Sequence, residues 1–384
     1  MIEQIKIKNF KSFADVSLEL GALNIFIGSN ASGKSNFLDV LRFLQGIGLG
    51  LSINEILNGK PAGTANLAWE GIRGGCANIA NKHSDVKEVS VKAKTSAIRK
   101  YEISFNQKDE TLSIETIDAG EGQDYGIWAL DKQAHSKLFT ELKENAQRMS
   151  DVPLDKIKAL ENLFASMQHL DFRPENLRAY SRDYVISRIG EHGEDFAAVV
   201  KAICADEKKK GAYLSWMKSL RPEEVDDVLT LSGASRDLMF ALKEKGQTFT
   251  APELSDGTLR FAALVAAFLQ PDRPKIMTVE EIENGIYAGN LRVLVNLLKN
   301  RSILGDTQVF ITTHSPAMLA WLKPEDYKHV FFCKRDEATG ESHIMPLTSI
   351  PLFNEVVAKS RIDELFAEGW LDSQAEMAWR NDAP

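Results

Sequence analysis

Gly28-Ser29-Asn30-Ala31-Ser32-Gly33-Lys34-Ser35 meets every fixed position of the phosphate-binding pattern GxxxxGK followed by Ser or Thr. The flanks agree with it: Leu23-Asn24-Ile25-Phe26-Ile27 reads as a short buried strand, and Asn36 to Leu44 carries apolar residues at helical spacing. A loop joining strand to helix can curl its backbone N–H groups around a polyphosphate, and the helix N-terminus adds positive potential. The candidate nucleotide ligands are therefore Gly28, Asn30, Gly33, Lys34, Ser35 and Asn36. Lys34 can bridge the outer phosphates while the Ser35 hydroxyl ligates Mg²⁺. A glycine-rich turn with an incidental lysine is the bland alternative, and the strand–loop–helix context speaks against it.

Working outward, the apolar run Ile276-Met277-Thr278-Val279 stops abruptly at Glu280-Glu281. Such a run suits a buried parallel strand whose C-terminal edge meets phosphates. Neighbouring side chains on a strand point to opposite faces, so the two acids can divide the work. Glu280 is the candidate Mg²⁺ ligand, acting through water, and Glu281 the catalytic carboxylate that orients or deprotonates the attacking water; Glu283 is left outside the immediate site. Gln308-Val309-Phe310-Ile311-Thr312-Thr313-His314 is a second strand, followed by the helix-start pair Ser315-Pro316. A histidine there can simply cap or pack. Its place at a strand's C-terminal end favours His314 as a contact to the terminal phosphate, since imidazole can donate in either protonation state. Leu254-Ser255-Asp256-Gly257-Thr258-Leu259-Arg260 precedes these two strands. Taken alone it is a helix cap, because Ser255 and Asp256 cap well and Thr258 to Leu269 is an apolar-rich helix stopped by Pro271.

The order of these elements resembles the SMC/RecF-type branch of ABC ATPases, and within it the stand-alone ATPases related to overcoming-lysogenization-defect (OLD) proteins. The resemblance is carried by Ile5-Lys6-Ile7-Lys8-Asn9-Phe10-Lys11-Ser12-Phe13, the P-loop through Leu38, Leu254 to Arg260, Glu280 to Gly285 and Thr312 to Pro316. It implies an α/β P-loop NTPase head with a mainly parallel core sheet and an antiparallel flank, using ATP and Mg²⁺. It also implies that Ser255 and Gly257 contact the ATP held by a second subunit, so that a homodimer or higher even-numbered assembly closes on two Mg·ATP. Relatives often have Pro where this chain has Ile282, and Asp where it has Glu280. Transporter motors differ more, since their signature has two glycines and a glutamine.

Composition bounds what this engine can serve. With 384 residues and 44% hydrophobic content, the chain can fill two or three packed lobes. Its longest apolar run, Phe261 to Leu269, falls far short of a membrane span, and no signal-peptide pattern is present, so a cytoplasmic protein without membrane partners is expected. Cys76, Cys204 and Cys333 form no CxxC pair and read as reduced thiols. A net charge of −8 argues against a generally basic surface. The best local candidate for DNA is Arg173, Arg178, Arg182 and Arg188 with Tyr180 and Tyr184, but interleaved Asp171, Glu175 and Asp183 favour a self-paired strip.

The expected organisation is an ATPase head in two parts, residues 1–130 and 236–384, around a compact helical lobe at 131–235. Period-two stretches at Val89–Ala93, Tyr101–Phe105 and Leu112–Ile114 supply the antiparallel flank. Helices are expected at Ser136–Met149, Leu154–Met167, Glu194–Ala205, Tyr213–Leu220 and Glu223–Leu231, with no heptad repeat for a coiled-coil arm. Seventy residues follow His314, too few for the TOPRIM nuclease domain of OLD nucleases, so a separate nuclease or toxin is the expected effector in an anti-phage switch. RecF-like DNA maintenance is the alternative, and a transporter motor the weaker third.

Overall fold

The computed structural model describes residues 1–61, 67–108, 111–118, 124–127, 154–233, 236–300 and 304–382. The expected helix Ser136–Met149 and the 130/131 boundary lie outside them. The chain divides into two compact units assembled from non-consecutive stretches.

The first unit comprises residues 1–167, 325–358 and 371–384. Its flank is an antiparallel sheet in the order Phe13–Glu19, Ile2–Phe10, Glu88–Thr95, Lys100–Asn106, Thr111–Asp118 and Asp124–Ile127. The expected alternation is present: Val89, Val91 and Ala93 are buried in one strand and pair with the buried Phe105, Ile103 and Tyr101 in the next. In the same unit, Leu23–Ile27 runs parallel to Val330–Arg335, which pairs antiparallel with Ser342–Pro346. The P-loop helix, Lys34–Gly48, presents Phe37 to Phe26 and Phe43 to both Phe10 and Phe105. Full burial of each such ring is worth roughly 2–3 kcal/mol, so the loop's two flanks are anchored in one aromatic core. At the helix C-terminus, a Cβ on Gly48 would lie 2.4 Å from the backbone nitrogen of Ala165, in the helix Leu154–Ala165.

The second unit comprises residues 168–324 and 359–370. Three parallel strands form its centre, Gln168–Leu170, Ile276–Val279 and Gln308–Thr313. Every residue of the last two is buried, as expected for parallel strands covered on both faces. The helix Asp256–Leu269 buries eleven of its fourteen residues, and the Tyr213 hydroxyl of the helix Glu207–Leu220 donates to its Ala262 carbonyl at 2.8 Å. The helix Phe196–Cys204 packs Phe196 on Phe240.

One expected helix is a strand. Residues Val225–Ser232 pair antiparallel with Asp237–Glu244, which in turn pairs with Ser181–Arg182 and Gln247–Thr250. Val225 and Val228 are buried three residues apart, a helix-like interval that arises here from a register shift between Val225 and Asp227. The bulge inserts one residue into the period of two. Six of the eight residues in the facing strand are buried, so this sheet has an apolar face to offer that a local reading of Glu223 to Leu231 does not reveal. The sequence boundary at 235/236 lies between these two paired strands of the second unit.

Candidate functional site

In the first unit the P-loop is shaped by close backbone approach. A Cβ on Gly28 would stand 2.1 Å from the carbonyl oxygen of Cys333, and Gly33 has φ 104° with Ser342 Oγ only 2.6 Å from where its Cβ would be. Neither position admits a side chain. Gly33 is also the residue before the first turn of the helix Lys34–Gly48. Lys34 is only 7% exposed, and its ammonium donates to the carbonyls of Gly28 (2.8 Å) and Ser29 (2.7 Å). The loop is thus closed on its own lysine, with Asn30 and Ala31 exposed at the tip. Asn36 Nδ2 donates to Ser12 Oγ at 2.7 Å, bringing the N-terminal hairpin to the loop.

Three residues of this unit that the motif did not assign, Lys11, Asp39 and Arg73, form a cluster beside the loop. Asp39, 3% exposed, accepts from Lys11 at 2.5 Å and from Arg73 at 3.3 Å, and Arg73 also donates to the Ser35 carbonyl at 2.8 Å. A buried carboxylate needs such partners. Lys11, Ser12, Ala31, Asn36, Arg73 and Arg335 line a cavity of about 280 Å³ beside the loop tip. Lys11 and Ser12 lay in the stretch that carries the family resemblance; Arg73 had no sequence signal.

In the second unit the two acids sit just past the strand. The strand ends at Val279, the Glu280 N–H donates to the Leu170 carbonyl at 3.1 Å, and Glu281 has φ 42°. Strand alternation therefore does not extend to Glu281, and the two acids diverge through a left-handed backbone step instead. That step is held in place: the Glu281 N–H donates to Thr312 Oγ1 (3.0 Å), the Ile282 N–H to the Thr312 carbonyl (3.2 Å), and Asn284 Nδ2 to Glu281 Oε2 (2.7 Å). His314, with its side chain 45% exposed, follows the neighbouring strand. Glu283, left outside the site by the motif, accepts from the His314 N–H at 2.9 Å and the Ser315 N–H at 3.1 Å. The acid loop and the histidine loop are thus cross-linked at the C-terminal ends of adjacent parallel strands.

Leu254 to Arg260 opens a helix in this same unit. Ser255 is exposed and is the N-cap, its Oγ accepting from the Thr258 N–H at 3.2 Å. Arg178 donates to the Leu254 carbonyl at 3.1 Å and forms an ion pair with Asp256. A Cβ on Gly257 would lie 2.2 Å from the Gly285 carbonyl, so this glycine lets the helix start rest on the acid loop. A cavity of about 560 Å³ adjoins it, lined by Arg221, Phe249, Ser255, Gly257 and Tyr287 among others.

Other candidates find structural employment. Arg188 pairs with Asp272, Lys201 with Asp183, and the Tyr184 hydroxyl donates to Asp195, so these residues of the Arg/Tyr strip are held by partners outside it, where composition had suggested pairing with the interleaved acids. Gln45 Nε2 donates to the Met167 carbonyl at 2.7 Å, a structural tie. Among the described residues no His/Cys/Asp/Glu group of three is arranged for a metal, and none of their helices is long and apolar enough to cross a membrane. Mg²⁺ in phosphate sites needs only one or two protein oxygens, because substrate phosphates supply others. Ser35 in the first unit and Glu280 in the second are each a hard oxygen donor of the kind that chemistry takes, and the cradle around Gly28 fits a polyphosphate.

Residues 23–320 match the family described as "AAA domain, putative AbiEii toxin, Type IV TA system". That span holds every assigned loop, acid and histidine. The chain belongs to this family. A protein named ATP/GTP phosphatase from Helicobacter pylori is 20% identical over 390 residues, covering 91% of this chain and 95% of the relative. Endonuclease GajA of Bacillus cereus is 22% identical over 347 residues, 82% of this chain and 55% of the relative, so the chain matches about half of that protein. The DNA replication and repair protein RecF of Lactococcus lactis shares 46% identity over 44 residues, 11% of this chain and 12% of RecF. Among solved structures, an SMC head bound to the C-winged helix domain of ScpA superposes with TM-score 0.50 at 12% identity, covering 90% of this chain and 98% of the head. The fold is the α/β P-loop NTPase fold of SMC heads, and the protein is an SMC/RecF/OLD-like ABC ATPase.

Proposed function

We propose that this ATPase is a nucleotide-gated clamp or switch in which two copies close head to head on two molecules of Mg·ATP. Each P-loop, through Gly28, Asn30, Gly33, Lys34, Ser35 and Asn36, holds one ATP, and Ser255 and Gly257 of the other copy face its terminal phosphate. Ser35 and Glu280 would hold Mg²⁺, which when bound would supply charge neutralisation to the phosphates. Glu281 takes the proton of the attacking water, and His314 donates to the terminal phosphate. The observation that carries this reading is the cross-link between the loop bearing Glu281 and the loop bearing His314, which holds acid and donor at one end of a buried parallel pair. A preorganised pair of this kind avoids reorganisation during the reaction.

Closure on ATP would set the switch and hydrolysis would reset it. Its purpose, in this proposal, is anti-phage defence through a separate nuclease or toxin. Likeness to GajA, an endonuclease by name, over 82% of this chain supports that assignment. RecF-like DNA maintenance is the second reading, favoured by the 44-residue match at 46% identity. Glu281→Gln, mixed with ATP and Mg²⁺, is expected to accumulate as a closed dimer by light scattering, whereas the unaltered protein returns to its ATP-free state after turnover. A Glu281→Gln protein that neither dimerises nor loses turnover contradicts the clamp. Isolation of the native complex followed by mass measurement separates the two purposes: a bound nuclease or toxin supports defence, and DNA-stimulated turnover by the protein alone supports maintenance.

A further inference from the structure

Glu283 is 8% exposed and lies in the loop that follows Ile276–Val279, two residues beyond Glu281. Its two carboxylate oxygens are used unequally. Oε1 accepts from the backbone N–H groups of His314 (2.9 Å) and Ser315 (3.1 Å) and stands 3.3 Å from His314 Nδ1. Oε2 is buried and has no hydrogen-bond partner among the described residues. Burying a carboxylate is costly unless donors converge on it, and here both backbone N–H donors to Oε1 come from the histidine loop. A neutral glutamine could satisfy the same two N–H groups, so the acid's distinct contribution is a full negative charge beside the imidazole.

We infer that Glu283 is a positioning residue for His314. It fixes the backbone of residues 314 and 315 and holds the ring with Nδ1 turned toward itself. Nε2 is then the ring nitrogen left to meet a terminal phosphate. The ring nitrogens are distinct in this respect, since the contact made by one decides which is available for the other task. The Glu281 and Ile282 N–H groups hydrogen-bond to Thr312, so Glu283 completes a three-point tie between the acid loop and the histidine loop. A tie of this kind keeps acid and donor in one arrangement as nucleotide comes and goes. The inference rests on the proposed role of His314 in hydrolysis.

The test is steady-state ATP turnover and fluorescent-nucleotide binding for Glu283→Ala, Glu283→Gln, His314→Ala and the double variant Glu283→Ala/His314→Ala, with thermal midpoints recorded for each. His314→Ala and Glu283→Ala are both expected to lower kcat by roughly 100-fold, with nucleotide affinity within about twofold of the unaltered protein. The double variant is expected to be no slower than the slower single one, because both changes remove the same act. Glu283→Gln keeps the backbone acceptor and is expected to recover at least about tenfold of the loss. Losses that multiply in the double variant, with His314→Ala itself impaired, overturn the role of Glu283 and leave that of His314 standing. Full turnover by His314→Ala removes the reading of His314 and this inference with it. Should Glu283→Ala fail to fold, the ¹⁵N spectrum of labelled histidines decides: Glu283→Gln is expected to shift the His314 Nδ1 signal while the other six histidines stay in place, and an unchanged His314 signal overturns the inference.

Discussion

Lys34 is only 7% exposed, with its ammonium turned onto the carbonyls of Gly28 and Ser29. Nucleotide oxygens are the stronger, charged acceptors for the same group, so in the proposed mode of binding Lys34 exchanges loop carbonyls for phosphate. Lys34→Ala is expected to weaken ATP binding by roughly tenfold or more with the fold retained, measured by nucleotide titration and thermal unfolding. Gly28 is constrained in a different way. Its missing Cβ is occupied by a backbone oxygen 2.1 Å away, which cannot rotate aside as a side chain would. Gly28→Ala is therefore expected to cost about 1–3 kcal/mol of stability as well as ATP binding. Lys34 was legible because the motif names it. Glu283 and Arg73 were not, because their partners lie far away in the chain: His314 is 31 residues from Glu283, and the Ser35 carbonyl 38 residues from Arg73.

Among the elements, the helix Asp256–Leu269 carries in one residue a structural role and a proposed functional one. Ser255 caps it, the role that explains the segment in isolation, while remaining exposed at its N-terminus. Gly257 meets the Gly285 carbonyl, so any side chain there pushes the helix start away from the acid loop. Gly257→Ala is expected to lower both the thermal midpoint and turnover, with a stability loss of about 1–3 kcal/mol; unchanged values for both would contradict the contact. The strand Val330–Arg335 supplies a second element-level expectation. Its Cys333 thiol is pushed up to about 12, chiefly by burial, and burial likewise takes Cys204, in the helix Phe196–Cys204, to about 11. Thiolate is the reactive form, so both should resist thiol reagents at neutral pH until the protein is unfolded, as mass spectrometry before and after denaturation would report. Among the described residues, element type was legible where periodicity was unbroken, as in the helix Lys34–Gly48 and the strand Glu88–Thr95. It misled at Val225–Ser232, where a bulge turned a period of two into an interval of three.

For the molecule as a whole, stability should depend on two histidines of the first unit. Burial holds His343, stacked on Trp379, below the ordinary histidine value, and burial with the charge of Lys328 does the same to His329. As pH falls through about 6.5, the unfolded chain takes up protons on these rings that the folded chain resists. The unfolded state then binds more protons, so stability rises with pH across this window and is lost as pH falls. The thermal midpoint is expected to drop between pH 7 and pH 5.5, and His343→Gln is expected to flatten that slope. Lowered carboxyls such as Glu55 act only in a more acidic window, where their own protonation begins.

By itself the sequence determined the chemical parts and their order, P-loop, capped helix, paired acids and histidine, because each is a local pattern whose residue types are dictated by backbone geometry or by phosphate chemistry. It also determined the alternating strands and the P-loop helix, whose apolar residues repeat at the period of the element they form. Tertiary structure alone decided which acid braces the histidine, which arginine and lysine hold Asp39, and why Gly257 must lack a side chain. Those outcomes depend on the close approach of segments distant in the chain, and the cost of an unpaired buried charge or a misplaced Cβ is settled only where the segments meet.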